Sequence, residues 1–124
     1  MKKTILVVDD FASIRDFVCD TLQRKGYETL GAANGNDAYK VLTERADVNL
    51  VLTDYNMPDC TGFELLKKIK ENPKVTKVPV IFLTTESNPE KMRSAKEAGL
   101  SAWIKKPYRS ETFFAQIENA MRNG

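Results

Sequence analysis

The sequence contains no histidine, and this absence excludes several kinds of chemistry at once. Ser–His and Cys–His catalysis and most zinc sites need an imidazole, so none of them fits this chain. The two cysteines, Cys19 and Cys60, are too few for a disulfide framework and indicate a reducing, cytoplasmic setting. No apolar run approaches the ~20 residues that cross a bilayer, so we expect no membrane partner.

A strong excess of one charge is also missing. Nineteen basic and seventeen acidic residues leave a formal net charge of +2, which is too balanced to indicate nucleic acid as the partner. A length of 124 residues, with 42% apolar and 29% charged residues, is typical of a single globular domain. Because there is no linker or low-complexity segment, we expect residues 1–124 to form one domain with no output domain.

Short apolar runs alternate with amphipathic segments along the chain. The runs predict strands at Ile5–Val8, Glu28–Ala32, Asn49–Thr53, Val78–Thr84 and Ser101–Ile104. The first intervening segment places apolar or neutral residues on one predicted helix face, namely Ile14, Phe17, Val18, Thr21 and Leu22. The other helices are predicted from candidate N-caps, namely Asn34, Thr61 in a capping box with Glu64, Asn88 before a proline, and Ser110.

Strands that alternate with helices predict a particular α/β fold. The pattern is (βα)5, a doubly wound parallel five-stranded sheet with helices on both faces. Ligands bind such sheets outside the carboxyl ends of the strands. The polar residues at those ends are Asp9, Asp10, Asp54, Asn56, Thr84, Thr85, Glu86, Lys105 and Lys106. We therefore expect acids, hydroxyls and cations to meet at one edge.

This set of residues suits phosphoryl transfer to a carboxylate. Neighbouring carboxylates and a backbone carbonyl match the oxygen ligands that Mg²⁺ prefers, and the cation attracts phosphoryl groups. Asp54, at the end of an apolar strand, is the candidate nucleophile for an aspartyl phosphate. Lys106 and Thr84 are the candidates for stabilising the phosphoryl oxygens.

Each residue has an ordinary explanation when it is taken alone. Asp9 and Asp10 together fit a solvated loop or the first turn of a helix, where acids are favourable. Thr84 fits strand-end propensity, Lys106 fits surface charge, and Trp103 fits packing on a strand. Only the combination at successive strand ends favours a functional site.

Four segments carry a resemblance to a known family. They are LVVDDFASIRDFV, LVLTDYNMPDCTGFELL, VPVIFLTTE and AWIKKPY, and together they span nearly the whole chain. In this order and spacing they resemble the receiver domains of two-component response regulators, most closely the stand-alone chemotaxis members. The resemblance implies a flavodoxin-like strand order of 2-1-3-4-5.

The resemblance also implies roles for the strand-end residues. Asp54 accepts a phosphoryl group from the phosphohistidine of a sensor histidine kinase. One Mg²⁺ per domain is held by Asp10, Asp54 and the backbone carbonyl of Asn56, with Asp9 acting largely through water. Lys106 pairs with the phosphate, and the peptide bond between Lys106 and Pro107 is cis.

Switching and output are implied in the same way. Thr84 bonds the phosphoryl group and Trp103 follows it as the switch aromatic, at a position where the family most often has Tyr or Phe. Asn56 and Glu86 set the rate of self-dephosphorylation, so the chain is a switch and not a turnover enzyme. The implied partner surface spans the fourth helix, fifth strand and fifth helix, including Met92, Lys96, Trp103 and Lys105. We expect a monomer whose target is a flagellar motor switch protein or another protein, with a phosphatase as a further candidate partner.

Three alternatives remain open at this stage. A single-domain phosphorelay intermediate has the same site and passes the phosphoryl group to another histidine. An aspartate-nucleophile phosphatase of the haloacid-dehalogenase type has a second Asp two residues after the first, where this chain has Asn56. A flavodoxin-like cofactor binder needs a phosphate-binding loop after strand 1, where Asp9 and Asp10 repel an anion.

Overall fold

In the computed structural model, which describes residues 2–123, five strands alternate with five helices as the sequence predicts. The elements are β1 Thr4–Val8, α1 Ala12–Arg24, β2 Glu28–Ala32, α2 Gly35–Glu44, β3 Leu50–Thr53, α3 Gly62–Glu71, β4 Val80–Thr84, α4 Pro89–Glu97, β5 Ala102–Lys105 and α5 Ser110–Asn123. Strand ends differ from the prediction by one or two residues. β4 begins after Pro79, which has no N–H for the ladder.

The strands form one sheet in the order β2-β1-β3-β4-β5, and every neighbouring pair is parallel. The predicted fold class and strand order are therefore confirmed. Successive residues of β1 face opposite sides, so Leu6 and Val8 join a core with α2, α3 and α4. Ile5 and Val7 join a second core with α1 and α5. Within residues 2–123 no helix has both the length and the apolar character needed to cross a membrane.

The predicted helix caps are present, with one correction. The Thr61 hydroxyl accepts from the Glu64 N–H at 3.1 Å, and the Glu64 carboxylate accepts from the Thr61 N–H at 2.9 Å. Asn34 and Asn88 also cap their helices through side-chain oxygens. Ser110 is not a cap: it is the first helical residue of α5, and the carbonyl one residue earlier accepts the first α5 bond, from Phe113.

The predicted apolar face of α1 is only partly buried. Val18 and Leu22 lie in the core, but Phe17 is 65% exposed and Ile14 is 38% exposed. Phe17 and Ile14 lie on the flank of the helix, where they line a shallow groove with Tyr108 and other residues of the loop before α5. The residues of this face are therefore not all buried, and Phe17 and Ile14 remain at the surface.

Close packing of α3 against the strand-end loop supports Asp54. Gly62 is the first residue of α3, and its N–H donates to the Tyr55 carbonyl at 2.9 Å. A Cβ at this position would run into the Asp54 carbonyl oxygen and would lie 3.0 Å from the Tyr55 Cα. Both obstacles are backbone atoms, so only glycine fits without a shift of the loop.

We expect Gly62→Ala to lower the free energy of unfolding by about 1–3 kcal/mol, because overpacking here displaces backbone. Urea denaturation measures this loss. Gly31→Ala is the matched control, since a Cβ there meets only the flexible Arg15 side chain, at 3.2 Å. Its stability should stay within about 0.5 kcal/mol of the wild type. Equal stability of Gly62→Ala and wild type would contradict this account of the loop.

Candidate functional site

Backbone hydrogen bonds continue one residue beyond the strands and align the site. The Asp9 N–H donates to the last carbonyl of β2 at 3.1 Å, and the Asp54 N–H donates to the last carbonyl of β1 at 3.0 Å. At the other side of the sheet, the Lys106 N–H donates to the last carbonyl of β4 at 2.9 Å. These bonds fix the first residue after β1, β3 and β5 before any side chain contributes.

Three carboxylates converge at this edge. Asp9, Asp10 and Asp54 each offer an oxygen, and the three oxygens lie within 4.8 Å of one another. Asp9 is 4% exposed, and its Oδ1 accepts from the Phe11 N–H at 3.0 Å. The Asp54 Oδ1 accepts from the Tyr55 N–H at 2.7 Å. The structure thus brings together the three acids that the sequence predicts.

The cluster is electrostatically costly. Burial raises the pKa of Asp9, and the charges of Asp54 and Asp10 raise it further. The Phe11 N–H and Lys106 act in the opposite direction and favour the ionised form. The Lys106 ammonium lies 3.6 Å from the Asp9 Oδ2, so it neutralises part of the negative charge at the site.

The residues present fit a divalent cation. The Oδ1 of Asp10 is buried and has no hydrogen-bond partner within the described residues, which is unfavourable for a carboxylate oxygen. A hard cation bound to this oxygen and to its neighbours in Asp9 and Asp54 satisfies the orphaned atom and offsets the repulsion. The three acids are therefore a cluster that could hold a metal ion.

The predicted switch residues meet at Glu86. Thr84 is fully buried, and its hydroxyl oxygen accepts from the Glu86 N–H at 3.2 Å. The indole N–H of Trp103 donates to the Glu86 carbonyl at 3.1 Å. The Trp103 ring is half-buried and packs on Phe82 and Tyr55, with centroids 5.3 and 5.5 Å away. Thr84 and Trp103 are thus joined through one residue.

The other predicted residues lie around this centre. Asn56 is exposed, and its N–H is 3.4 Å from the Asp54 Oδ1, at the long limit of hydrogen bonding. Met92, Lys96 and Lys105 are exposed on α4 and β5 and belong to the outer surface, not to the acidic cluster. The Lys106–Pro107 peptide bond is cis, as the resemblance implies.

Sequence reasoning missed two cations that support the site. Arg15 of α1 donates from its guanidinium to the Asp9 carbonyl at 2.8 Å, and its side chain crosses Gly31 of β2. Lys91 of α4 pairs with Glu86 at 3.1 Å. No local signal identifies Arg15, but Lys91 carries one, because a cation in the first turn of a helix is unfavourable unless it has a counter-ion.

Comparison with known proteins agrees with this geometry. The family model described as response regulator receiver domain matches residues 5–118. The chain belongs to this family. The predicted resemblance is therefore confirmed, and the chain is a receiver domain of the two-component type.

Individual relatives cover nearly the whole chain. A chemotaxis protein CheY homolog of Campylobacter jejuni is 35% identical over 121 residues, which are 97% of this chain and 93% of that protein. Chemotaxis protein CheY1 of Helicobacter pylori is 35% identical over 115 residues, 92% of this chain and 93% of that protein. The structure of Vibrio cholerae chemotaxis protein CheY4 superimposes with a TM-score of 0.89 at 35% identity, covering 97% and 99% of the two chains.

We expect Asp10→Asn to stabilise the protein in buffer that contains a chelator. Removing one of three charges this close relieves roughly 1–2 kcal/mol of repulsion in a partly solvated site. Urea unfolding measures the gain. Asp16→Asn, on the exposed face of α1, is the matched control and should change stability by less than about 0.5 kcal/mol. If Asp10→Asn is no more stable than the control, the carboxylates do not repel as described.

Proposed function

We propose that this chain is a phospho-accepting switch of a two-component system, with Asp54 as the acceptor. The observation that carries the proposal is the cluster of three carboxylates at the strand ends, with a lysine 3.6 Å from one of them. Phosphorylation changes the affinity of the domain for a partner protein. The proposal includes a cytoplasmic location and a monomeric state.

The reaction is a transfer between two side chains. A carboxylate oxygen of Asp54 attacks the phosphorus of a phosphohistidine on a sensor kinase. The bond from phosphorus to the imidazole nitrogen breaks, its electron pair stays on that nitrogen, and the kinase histidine is regenerated. Since the chain itself has no histidine, the donor imidazole must come from the partner.

We assign one Mg²⁺ per domain to the acidic cluster. Asp10 and Asp54 hold it directly, Asp9 holds it largely through water, and the Asn56 backbone carbonyl completes the protein ligands. A bound Mg²⁺ supplies positive charge that attracts the phosphoryl oxygens. The orphaned Oδ1 of Asp10 supports direct contact by this residue.

Two further side chains stabilise the phosphorylated state. Lys106 exchanges its Asp9 contact for a phosphoryl oxygen, since an ammonium binds whichever anion lies closest. Thr84 donates its hydroxyl proton to another phosphoryl oxygen, and Trp103 changes its environment with it. Asn56 and Glu86 flank the acceptor and set the rate at which water removes the phosphate, so the domain is not a turnover enzyme.

The proposed output surface lies on α4, β5 and α5. Met92, Lys96 and Lys105 are exposed there, and half-buried Trp103 connects them to the site. Two relatives at 35% identity are named as chemotaxis proteins, which supports a flagellar motor switch protein as the target. The kinase that donates the phosphoryl group and a phosphatase are the other partners we propose.

We expect acetyl phosphate with Mg²⁺ to add one phosphate to the wild-type chain, and none to Asp54→Asn. Mass spectrometry of the intact protein measures the addition. Asp59→Asn is the matched control in the same loop, because Asn also tolerates the left-handed backbone found at this position, where φ is 68°. The control should be labelled like the wild type.

Two results would contradict this assignment. Labelling of Asp54→Asn at the wild-type level would show that another residue accepts the phosphoryl group. Undiminished labelling of the wild type in the presence of a chelator would show that the reaction does not need Mg²⁺.

We expect the chain, with a stable phosphate mimic bound, to retain a flagellar motor switch protein in a pull-down. The same chain without the mimic is the control, and it should retain much less, because the partner surface depends on the phosphorylated arrangement. Retention of a histidine phosphotransfer domain instead would overturn the chemotaxis assignment and identify a phosphorelay intermediate.

A further inference from the structure

The Glu86 carboxylate is held in one place by three neighbours on its own loop and on α4. Its Oε1 accepts from the Lys91 ammonium at 3.1 Å, and its Oε2 accepts from the N–H groups of Ser87 and Asn88 at 3.2 Å each. Lys91, the Asn88 N–H and the Asn56 side chain all lower the pKa of Glu86. The side chain is therefore an anion at neutral pH.

This anion stands next to the proposed phosphoryl site. The Glu86 N–H is bonded to the Thr84 hydroxyl, and the Asn56 side chain is near enough to lower the pKa of the Glu86 carboxyl group. Asn56 lies two residues after Asp54, and its N–H approaches the Asp54 Oδ1. A negative charge so placed repels any phosphodonor, because the donor is itself an anion.

Lys91 is the cation that pairs with the Glu86 carboxylate. It is the third residue of α4, where the helix end disfavours a positive charge, so its placement depends on Glu86. Its ammonium also lies 5.2 Å from the centroid of the Tyr55 ring, and the Tyr55 N–H holds the Asp54 carboxylate. Lys91 thus joins the loop after β4 to the loop that carries the acceptor.

We propose that Lys91 is a positioning residue for phosphoryl transfer, which neutralises and orients Glu86 beside Asp54 so that anionic donors meet an ion pair and not a free carboxylate. The inference rests on the proposed function, because it concerns the rate at which Asp54 is phosphorylated. Lys91 itself does not contact the transferred group in this account.

The test compares initial rates of phosphorylation of the full chain by acetyl phosphate and Mg²⁺. In Lys91→Met the side chain keeps its length and loses its charge. We expect labelling about fivefold slower than wild type at low salt, from one uncompensated charge near the donor. The difference should largely close near ~1 M salt, where the Debye length falls to about 3 Å.

Further variants separate charge from structure. The double variant Lys91→Met with Glu86→Gln should be labelled faster than Lys91→Met alone at low salt, because the repelling anion is gone. Lys91→Arg should keep it, because the charge is kept. Arg93→Met makes the same change of net charge on α4 but loses only a 3.9 Å contact with Glu90, so it should label like wild type.

Three outcomes would overturn the inference. They are a wild-type rate for Lys91→Met at low salt, a slow rate that salt does not change, and a double variant that stays slow. The ion pair is partly exposed, so Lys91→Met should unfold at nearly the same urea concentration as wild type. A wild-type chain that is not labelled at Asp54 would defeat the proposed function instead.

Discussion

The register of the parallel sheet is the constraint on which the site depends. Because the ladder bonds continue past the strand ends, Asp9 and Asp54 must lie side by side whether or not their charges favour it. The free energy that holds them there comes from the apolar strands beneath, which are almost entirely buried. The repulsion among the carboxylates is thus imposed by the fold, and the remaining features of the site compensate for it.

Those compensations differ in how permanent they are. The N–H groups of Phe11 and Tyr55 are part of the backbone, and they donate to the carboxylates of Asp9 and Asp54. The Lys106 contact of 3.6 Å is longer than a good hydrogen bond, and its side chain is 20% exposed. A cation held this loosely can change partner at little cost, which is what the proposed phosphorylation of Asp54 requires.

The sequence predicts the strands and the strand-end residues well, because both signals are local. Branched apolar runs identify strands, and the residue after each run then lies at the ligand-binding edge. The exposure of Phe17 could not be predicted in this way, since its helix stripe continues onto a flank that the sheet does not cover. The Glu86–Lys91 pair was missed because it spans a loop and a helix end, where no periodic pattern applies.

Glu86 connects the site to the proposed output surface through three different groups. Its N–H holds the Thr84 hydroxyl, its carbonyl holds the Trp103 indole, and its carboxylate holds Lys91. Under the proposed function the Thr84 hydroxyl would turn to a phosphoryl oxygen, and the Glu86 N–H would then lose its acceptor. The carbonyl that anchors Trp103 belongs to the next peptide unit, so a change in the backbone dihedral angles of Glu86 would move it. In this proposal a change at the acceptor would reach β5 through the backbone of Glu86.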